Sequence, residues 1–158
     1  MRILAIDPGN IESAFVVYED GKIFDKGKLE NVAMLGMINH NPEFIFSEHL
    51  AIEMVACYGM AVGKTVFDTC VWIGRFIQAW NKDYTQIYRR DVKMFLCNST
   101  KAKDGNVRQA IIDRYPPTGG GKIPQIGTKK QPGQLFGIHD DIWAALGVAI
   151  TFSETKND

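Results

Sequence analysis

Three places along the chain set a carboxylate against apolar sequence. Asp7 closes the run Ile3-Leu4-Ala5-Ile6, Glu53 sits inside His49-Leu50-Ala51-Ile52-Glu53-Met54-Val55, and Asp140-Asp141 open the stretch from Ile142 to Ile150. A charge in such company is costly unless it meets a partner, a metal or water. Each acid also has an ordinary explanation. Asp7 begins the turn Pro8-Gly9-Asn10, and either Asp140 or Asp141 serves as a helix N-cap. Two adjacent acids nevertheless exceed what one cap needs. Carboxylates that converge repel one another unless cations lie between them, and oxygen-only ligation selects Mg²⁺ or Mn²⁺. Two such ions about 4 Å apart support in-line attack of water on a phosphodiester.

Charge distribution agrees with a phosphate-bearing partner. The net charge is zero, yet Lys82 to Lys130 holds eleven Lys/Arg against four Asp/Glu, leaving seven against fourteen elsewhere. An acidic scaffold therefore carries a basic segment, as an acid-lined metal site beside a phosphate-binding surface requires. A solvated surface loop accounts for part of the same pattern. Within the segment, Arg89, Arg90, Lys122, Lys129 and Lys130 are expected to hold nucleic-acid backbone away from the reacting phosphate.

The elements that position these residues read as α/β. Ile3 to Ile6 is a strand buried on both faces, Ala14 to Tyr18 a second, and Glu19-Asp20-Gly21-Lys22 a hairpin turn into Ile23-Phe24. A short helix is expected over Asn31 to Asn39, ended by Asn41-Pro42, before the strand that carries Glu53. Lys64 to Trp80 is the strongest helical pattern. Val66, Cys70, Ile73, Ile77 and Trp80 form one apolar stripe; Trp72, Phe76 and Ala79 form another on a different side. One stripe packs on the sheet, and the other requires a further helix or a second copy of the chain. Thr85 to Tyr88 is a strand, Arg89 to Cys97 a helix, and a second amphipathic helix brings Val107, Ala110, Ile111 and Tyr115 to the core before Pro116-Pro117 stops it.

Residues 116 to 138 differ in kind. Rich in Gly and Pro, with three lysines and no acid, this segment is expected to be a long mobile loop. Gly119-Gly120-Gly121-Lys122 is followed by Ile123 where a phosphate loop needs Ser or Thr, which excludes that motif. The last element begins at His139 and is a helix of small and apolar residues.

At 158 residues the chain is expected to be one domain spanning 1 to 158, with no membrane-length apolar run and no leader before the first strand. Three cysteines without CxxC spacing read as free thiols in a reducing, cytoplasmic compartment. Three scattered histidines exclude a zinc finger.

Taken in order, Ile6-Asp7-Pro8-Gly9, Ala51-Ile52-Glu53, Tyr88-x-x-x-Val92-Lys93 and Asp141-x-x-Ala144-Ala145-Leu146-Gly147 resemble the motifs of the RuvC-type Holliday-junction resolvases of the RNase H-like superfamily. The resemblance implies a mixed five-stranded sheet, with an antiparallel meander of strands one to three followed by parallel strands and flanking helices. It implies a homodimer, here through the helix at 64 to 80, that binds four-way junctions and other branched DNA and makes paired Mg²⁺-dependent nicks. Position by position, Asp7, Glu53 and Asp141 match metal ligands, and Lys93 matches the active-site lysine, with Lys101 or Lys103 beside it. The fourth ligand of the family falls on Ala144, so Asp140 or His139 takes its place. After Glu53 only Tyr58 stands where family members carry a stacking aromatic. The compact chain and its changed loop look like phage-type members, working in a bacterial or phage-infected cell. An actin-like ATPase would need a second Asp-Gly phosphate turn and about twice the length. The alternatives kept are a branched-DNA-binding protein without efficient cleavage, and a related nuclease acting on forks, flaps or hybrids.

Overall fold

The computed structural model describes residues 1–156. Its centre is a five-stranded sheet made from β1 (Ile3–Asp7), β2 (Glu12–Glu19), β3 (Lys22–Glu30), β4 (His49–Met54) and β5 (Tyr84–Tyr88), in the order β3-β2-β1-β4-β5. β1, β2 and β3 form the expected antiparallel meander, and β4 and β5 run parallel to β1. The β2–β3 turn has Asp20 and Gly21 both at positive φ, the geometry that closes a two-residue hairpin. Between Val17 and Tyr18 the register slips by one residue.

The helices are α1 (Asn31–His40), α2 (Pro42–Phe46), α3 (Lys64–Trp80), α4 (Arg89–Cys97), α5 (Asp104–Ile112) and α6 (Ile142–Thr155). Asn41-Pro42 does more than end α1. The Asn41 side chain accepts hydrogen bonds from the amides of Glu43 and Phe44 and so starts α2. On one face of the sheet, Leu4, Ile6, Phe15, Val17, Leu50 and Ile52 pack with α1 and α3. On the other, Ile3, Ala5, Ala14, Val16, Ala51 and Ile87 pack with α4, α5 and α6. Alternation along each strand thus sorts the core into two halves. Small residues let α6 lie close: a Cβ on Gly147 would stand 3.2 Å from Val92 Cγ1.

Two expectations are corrected. The stripes read on α3 are not two separate faces. Thr69, Ile73, Phe76 and Trp80 form its buried face, and Trp72, Ile77 and Ala79 pack at its margin. Phe76 is wholly buried, so the Trp72/Phe76 stripe is no exposed patch, and α4 and α5 lie on the opposite side of the sheet. The large apolar side chains that α3 leaves exposed are Phe67 and Val71.

The segment 116 to 138 is also not the loose tether its composition predicts. Leu135 and Ile138 are buried in the core, and the chain folds on itself through backbone hydrogen bonds donated by the amides of Gly119, Gly120, Gly133 and Leu135 to the carbonyls of Pro124, Gln131, Ile126 and Gln125 respectively. Its glycines permit that closeness: a Cβ on Gly127 or Gly133 would meet backbone atoms at 2.2 Å. The apolar anchors are too few to register in composition, but they are placed where the loop meets the sheet.

Candidate active site

The site lies along one row of the sheet. Asp7 is paired with Ala14, and Ala14 with Lys28. Parallel pairing of Ile6 with Ile52 carries Glu53 onto the same row on the other side of Asp7. Cross-strand neighbours point to one face, here the face covered by α4, α5 and α6. The turn after Asp7 is fixed by a buried network. Gly9 donates to Ser13 Oγ (3.1 Å), Ser13 Oγ donates to Asn31 Oδ1 (2.6 Å), and Asn31 Nδ2 donates to the Gly9 carbonyl (2.9 Å). A Cβ on Gly9 would stand 2.3 Å from the Glu12 carbonyl oxygen, so glycine is required there.

Arg89 follows β5 directly and turns into this row. Its Nη1 lies 3.7 Å from Glu53 Oε2, while Nη2 donates to Asp104 Oδ1 at 2.6 Å. Glu53 Oε2 and Arg89 Nη1 are buried and neither has a hydrogen-bond partner. Burial pushes the Asp7 carboxyl up to about 8; Glu53 and Asp141 add to the shift, against Arg89 and Lys28. Burial likewise pushes Glu53 up to about 7, opposed by Arg89 and Lys93 and reinforced by Asp104 and Asp141. These causes put Asp7, Glu53, Asp141, Arg89, Lys93 and Lys28 in one electrostatic neighbourhood.

At the N-terminus of α6 the acids behave differently from the expected cap. Neither caps the helix: Asp141 has helical backbone and no capping hydrogen bond, and Asp140 has φ +51°. Both carboxylates instead accept from Lys28 Nζ, at 2.8 Å for Asp141 and 3.0 Å for Asp140. The hydrogen bond from Lys28 holds the exposed Asp140 carboxyl below its usual range. The same two bonds push the Lys28 ammonium up. Among the described residues no three acidic, histidine or cysteine side chains close around a single point.

The donor set fits a hard divalent cation. Asp7 and Glu53 offer oxygen only, one carboxylate oxygen is buried without a hydrogen bond, and both acids resist ionisation until positive charge approaches. Ala144, one turn beyond Asp141, adds no ligand.

Of the other residues singled out, Lys93 is half-buried beside Glu53 and Asp104. Arg89 belongs to the acid row rather than to an outer surface, a correction that comes from the β5–α4 junction bending it back over Glu53. His139 and Asp140 line a cleft of about 400 Å³ with Asp104, Arg108 and Trp143, in which the Arg108 guanidinium lies 4.9 Å from the Trp143 ring centre. Tyr58 is exposed and shares a separate shallow cleft with Tyr88 and Arg90, whose guanidinium is 5.8 Å from the Tyr58 ring centre. Lys101, Lys103, Lys122, Lys129 and Lys130 are exposed and, among the described residues, make no ion pair. Lys28 and Asp104 escaped sequence reading. Asp104 carries a faint signal as an acid inside the basic segment, and Lys28 carries none.

The sheet order and its flanking helices define a RuvC-like fold of the RNase H type. Over 99% of this chain, it superposes on the Thermus thermophilus RuvC structure with a TM-score of 0.67 at 14% sequence identity, covering 96% of that chain. T. thermophilus RuvC in complex with Holliday junction substrate matches with the same TM-score and identity, with 94% of that chain covered. No family model matches the sequence. No curated protein matches it in sequence.

Proposed function

We propose that the protein is a divalent-metal-dependent endodeoxyribonuclease that binds four-way junctions and related branched DNA and nicks phosphodiesters. The observation that carries this reading is the pairing of Asp7 and Glu53 on one sheet row, both driven towards the neutral form by burial, with Arg89 and Lys93 beside them. The T. thermophilus neighbour whose structure contains a Holliday junction supports the choice of substrate. Asp7, Glu53 and Asp141, with Asp140 next to them, would hold Mg²⁺ or Mn²⁺, about two per site, supplying charge to activate water and to stabilise the leaving oxygen.

The chain's own side chains have separable tasks. Arg89 holds Glu53 in place and is itself held by Asp104. Lys93 neutralises the phosphate under attack. Tyr58 offers a ring to an unstacked base, with Arg90 beside it, and Lys101, Lys103, Lys122, Lys129 and Lys130 bind backbone phosphates. Nicking of both strands of a junction calls for two sites, and a homodimer through the Phe67/Val71 face of α3 supplies them. Work in a reducing cytoplasm, bacterial or phage-infected, suits three unpaired cysteines, and the compact chain suits a phage-type enzyme. Among the described residues no helix is long and apolar enough to cross a membrane.

A second reading, a branched-DNA-binding protein that cleaves poorly, is favoured by Ala144 at the fourth-ligand position. Labelled junction, fork, flap, hybrid and linear duplex substrates, each incubated with Mg²⁺ or with a chelator, separate the two. Mg²⁺-dependent nicks concentrated on the junction support the nuclease. Tight junction binding with no nick under either condition supports the second reading. Equal nicking of linear duplex refutes structure selectivity.

A further inference from the structure

Lys28 Nζ gathers three carboxylates from two segments: Asp141 Oδ2 at 2.8 Å and Asp140 Oδ2 at 3.0 Å, just before α6, and Glu12 Oε2 at 3.7 Å, on β2. Two features mark this as a built arrangement. The register slip between Val17 and Tyr18 sets Lys28, rather than Gly27, opposite Ala14, and so turns it onto the acid-bearing face. Asp140 takes φ +51°, a region that side-chain-bearing residues seldom occupy, and its carboxylate meets Lys28 from there. Lys28 is also half-buried, its side chain 23% exposed. Along the row, Ala14 separates Lys28 from Asp7 by two strand spacings, roughly 10 Å, and fills the gap with only a methyl group. Between Asp7 and the ammonium that holds Asp141, the row therefore carries no side chain larger than a methyl group.

We propose that Lys28 is the resident counterion of the acidic site, a positioning residue that competes with divalent ions for Asp141 and Asp140. The inference rests on the reading of Asp7, Glu53 and Asp141 as metal ligands. With ions absent, Lys28 offsets the charge of the α6 acids and keeps Asp141 drawn towards β3, away from Glu53. With Asp141 given over to an ion, Nζ would keep only Asp140 and Glu12 and would have charge to offer an arriving DNA phosphate. Ion binding and phosphate binding are thereby linked: each favours the other by the same factor. The absence of an acid at Ala144 makes this competition more telling, because fewer carboxylates oppose the ammonium.

Calorimetric titration of Mn²⁺ into the DNA-free protein at pH 7.5 and constant ionic strength tests the proposal. Lys28→Met keeps the apolar stem and removes the charge, Lys28→Gln is a second neutral variant, and Lys28→Arg keeps the charge. Lys64→Met, which removes a lysine paired on the exposed side of α3, controls for net charge. Loss of the two partly exposed ion pairs to Asp140 and Asp141 should tighten Mn²⁺ binding roughly tenfold in the neutral Lys28 variants, with Lys28→Arg no tighter than wild type. Unchanged or weaker Mn²⁺ binding by a neutral variant with a wild-type circular dichroism spectrum overturns the proposal, as does equal tightening by Lys64→Met. Mn²⁺ binding by the neutral variants and not by wild type would be its strongest support. If neither wild type nor the neutral variants bind Mn²⁺, the metal-site reading fails too; if wild type binds and Lys28→Met matches it, only the role of Lys28 fails.

Discussion

Replacing Asp7 by Asn should stabilise the metal-free protein while destroying its nicking activity. Burial is the chief cause that pushes the Asp7 carboxyl from an ordinary value of 3.8 up to about 8 in the fold. A raised acid favours the protonated fold, so its contribution is most favourable below pH 4 and is lost progressively as pH rises towards 8. At about 1.4 kcal/mol per pH unit, the penalty at pH 7 reaches an upper bound of ~4 kcal/mol. Residual solvent access and coupling to Glu53 reduce this to roughly 2 kcal/mol. Asn is nearly isosteric and does not ionise, so it escapes the penalty. For a chain of this size the gain corresponds to a rise of about 5 °C in Tm at pH 7.5, shrinking to about 2 °C at pH 5. Thermal unfolding in a chelator at the two pH values, by circular dichroism, measures both. Mg²⁺ should stabilise wild type and leave Asp7→Asn unmoved. A variant that is destabilised, or stabilised equally at pH 5 and pH 7.5, would refute the argument that buried charge dominates here.

On α6, Asp141→Asn should abolish nicking in a labelled-junction assay, whereas Asp140→Asn, which loses an exposed contact to Lys28 and the more peripheral of the two α6 carboxylates, should keep at least a tenth of the rate. If Asp140→Asn alone is inactive, the ligand register is off by one. Lys93→Ala should lower the single-turnover nicking rate about a hundredfold with less than threefold change in junction Kd. Removing Lys122, Lys129 and Lys130 together should weaken binding and flatten its salt dependence, with saturating rate retained. Proportional loss of rate and binding by Lys93→Ala would make it another backbone contact. Sedimentation of wild type at micromolar concentration should show a dimer that Val71→Asp converts to monomer; a monomeric wild type removes the α3 interface.

Much of the scaffold was legible because apolar periodicity reports burial directly. The run Ile3 to Ile6, the acid within the β4 sequence, the bounds of α3 and the Asp20-Gly21 turn all reappear in the fold. Asp7 and Glu53 were legible for the same reason, being charges where the pattern demands none. The stripes of α3 were misread because period alone does not say how wide a face its neighbours cover: α3 packs on β4 and against α1, and both Phe76 and Ile73 are buried there. The loop at 116 to 138 was misread because composition does not record backbone hydrogen bonds.

What only the tertiary structure decided is which charges meet the acids. Arg89 and Asp104 join Glu53 through the turn from β5 into α4 and the packing of α5 beside it. Lys28 depends on something finer. Continued without interruption from the Asp20-Gly21 turn, the hairpin register would oppose Ala14 to Gly27 and point Lys28 at the α1 and α3 face. One extra residue on β3, admitted where Val17 pairs with Asp25 and Tyr18 with Ile23, reverses every side chain beyond it. The β2 and β3 sequences state that a hairpin forms. Whether it bulges is settled by the packing of the whole sheet under α6, because side chains alternate every residue and a single slip exchanges core for solvent.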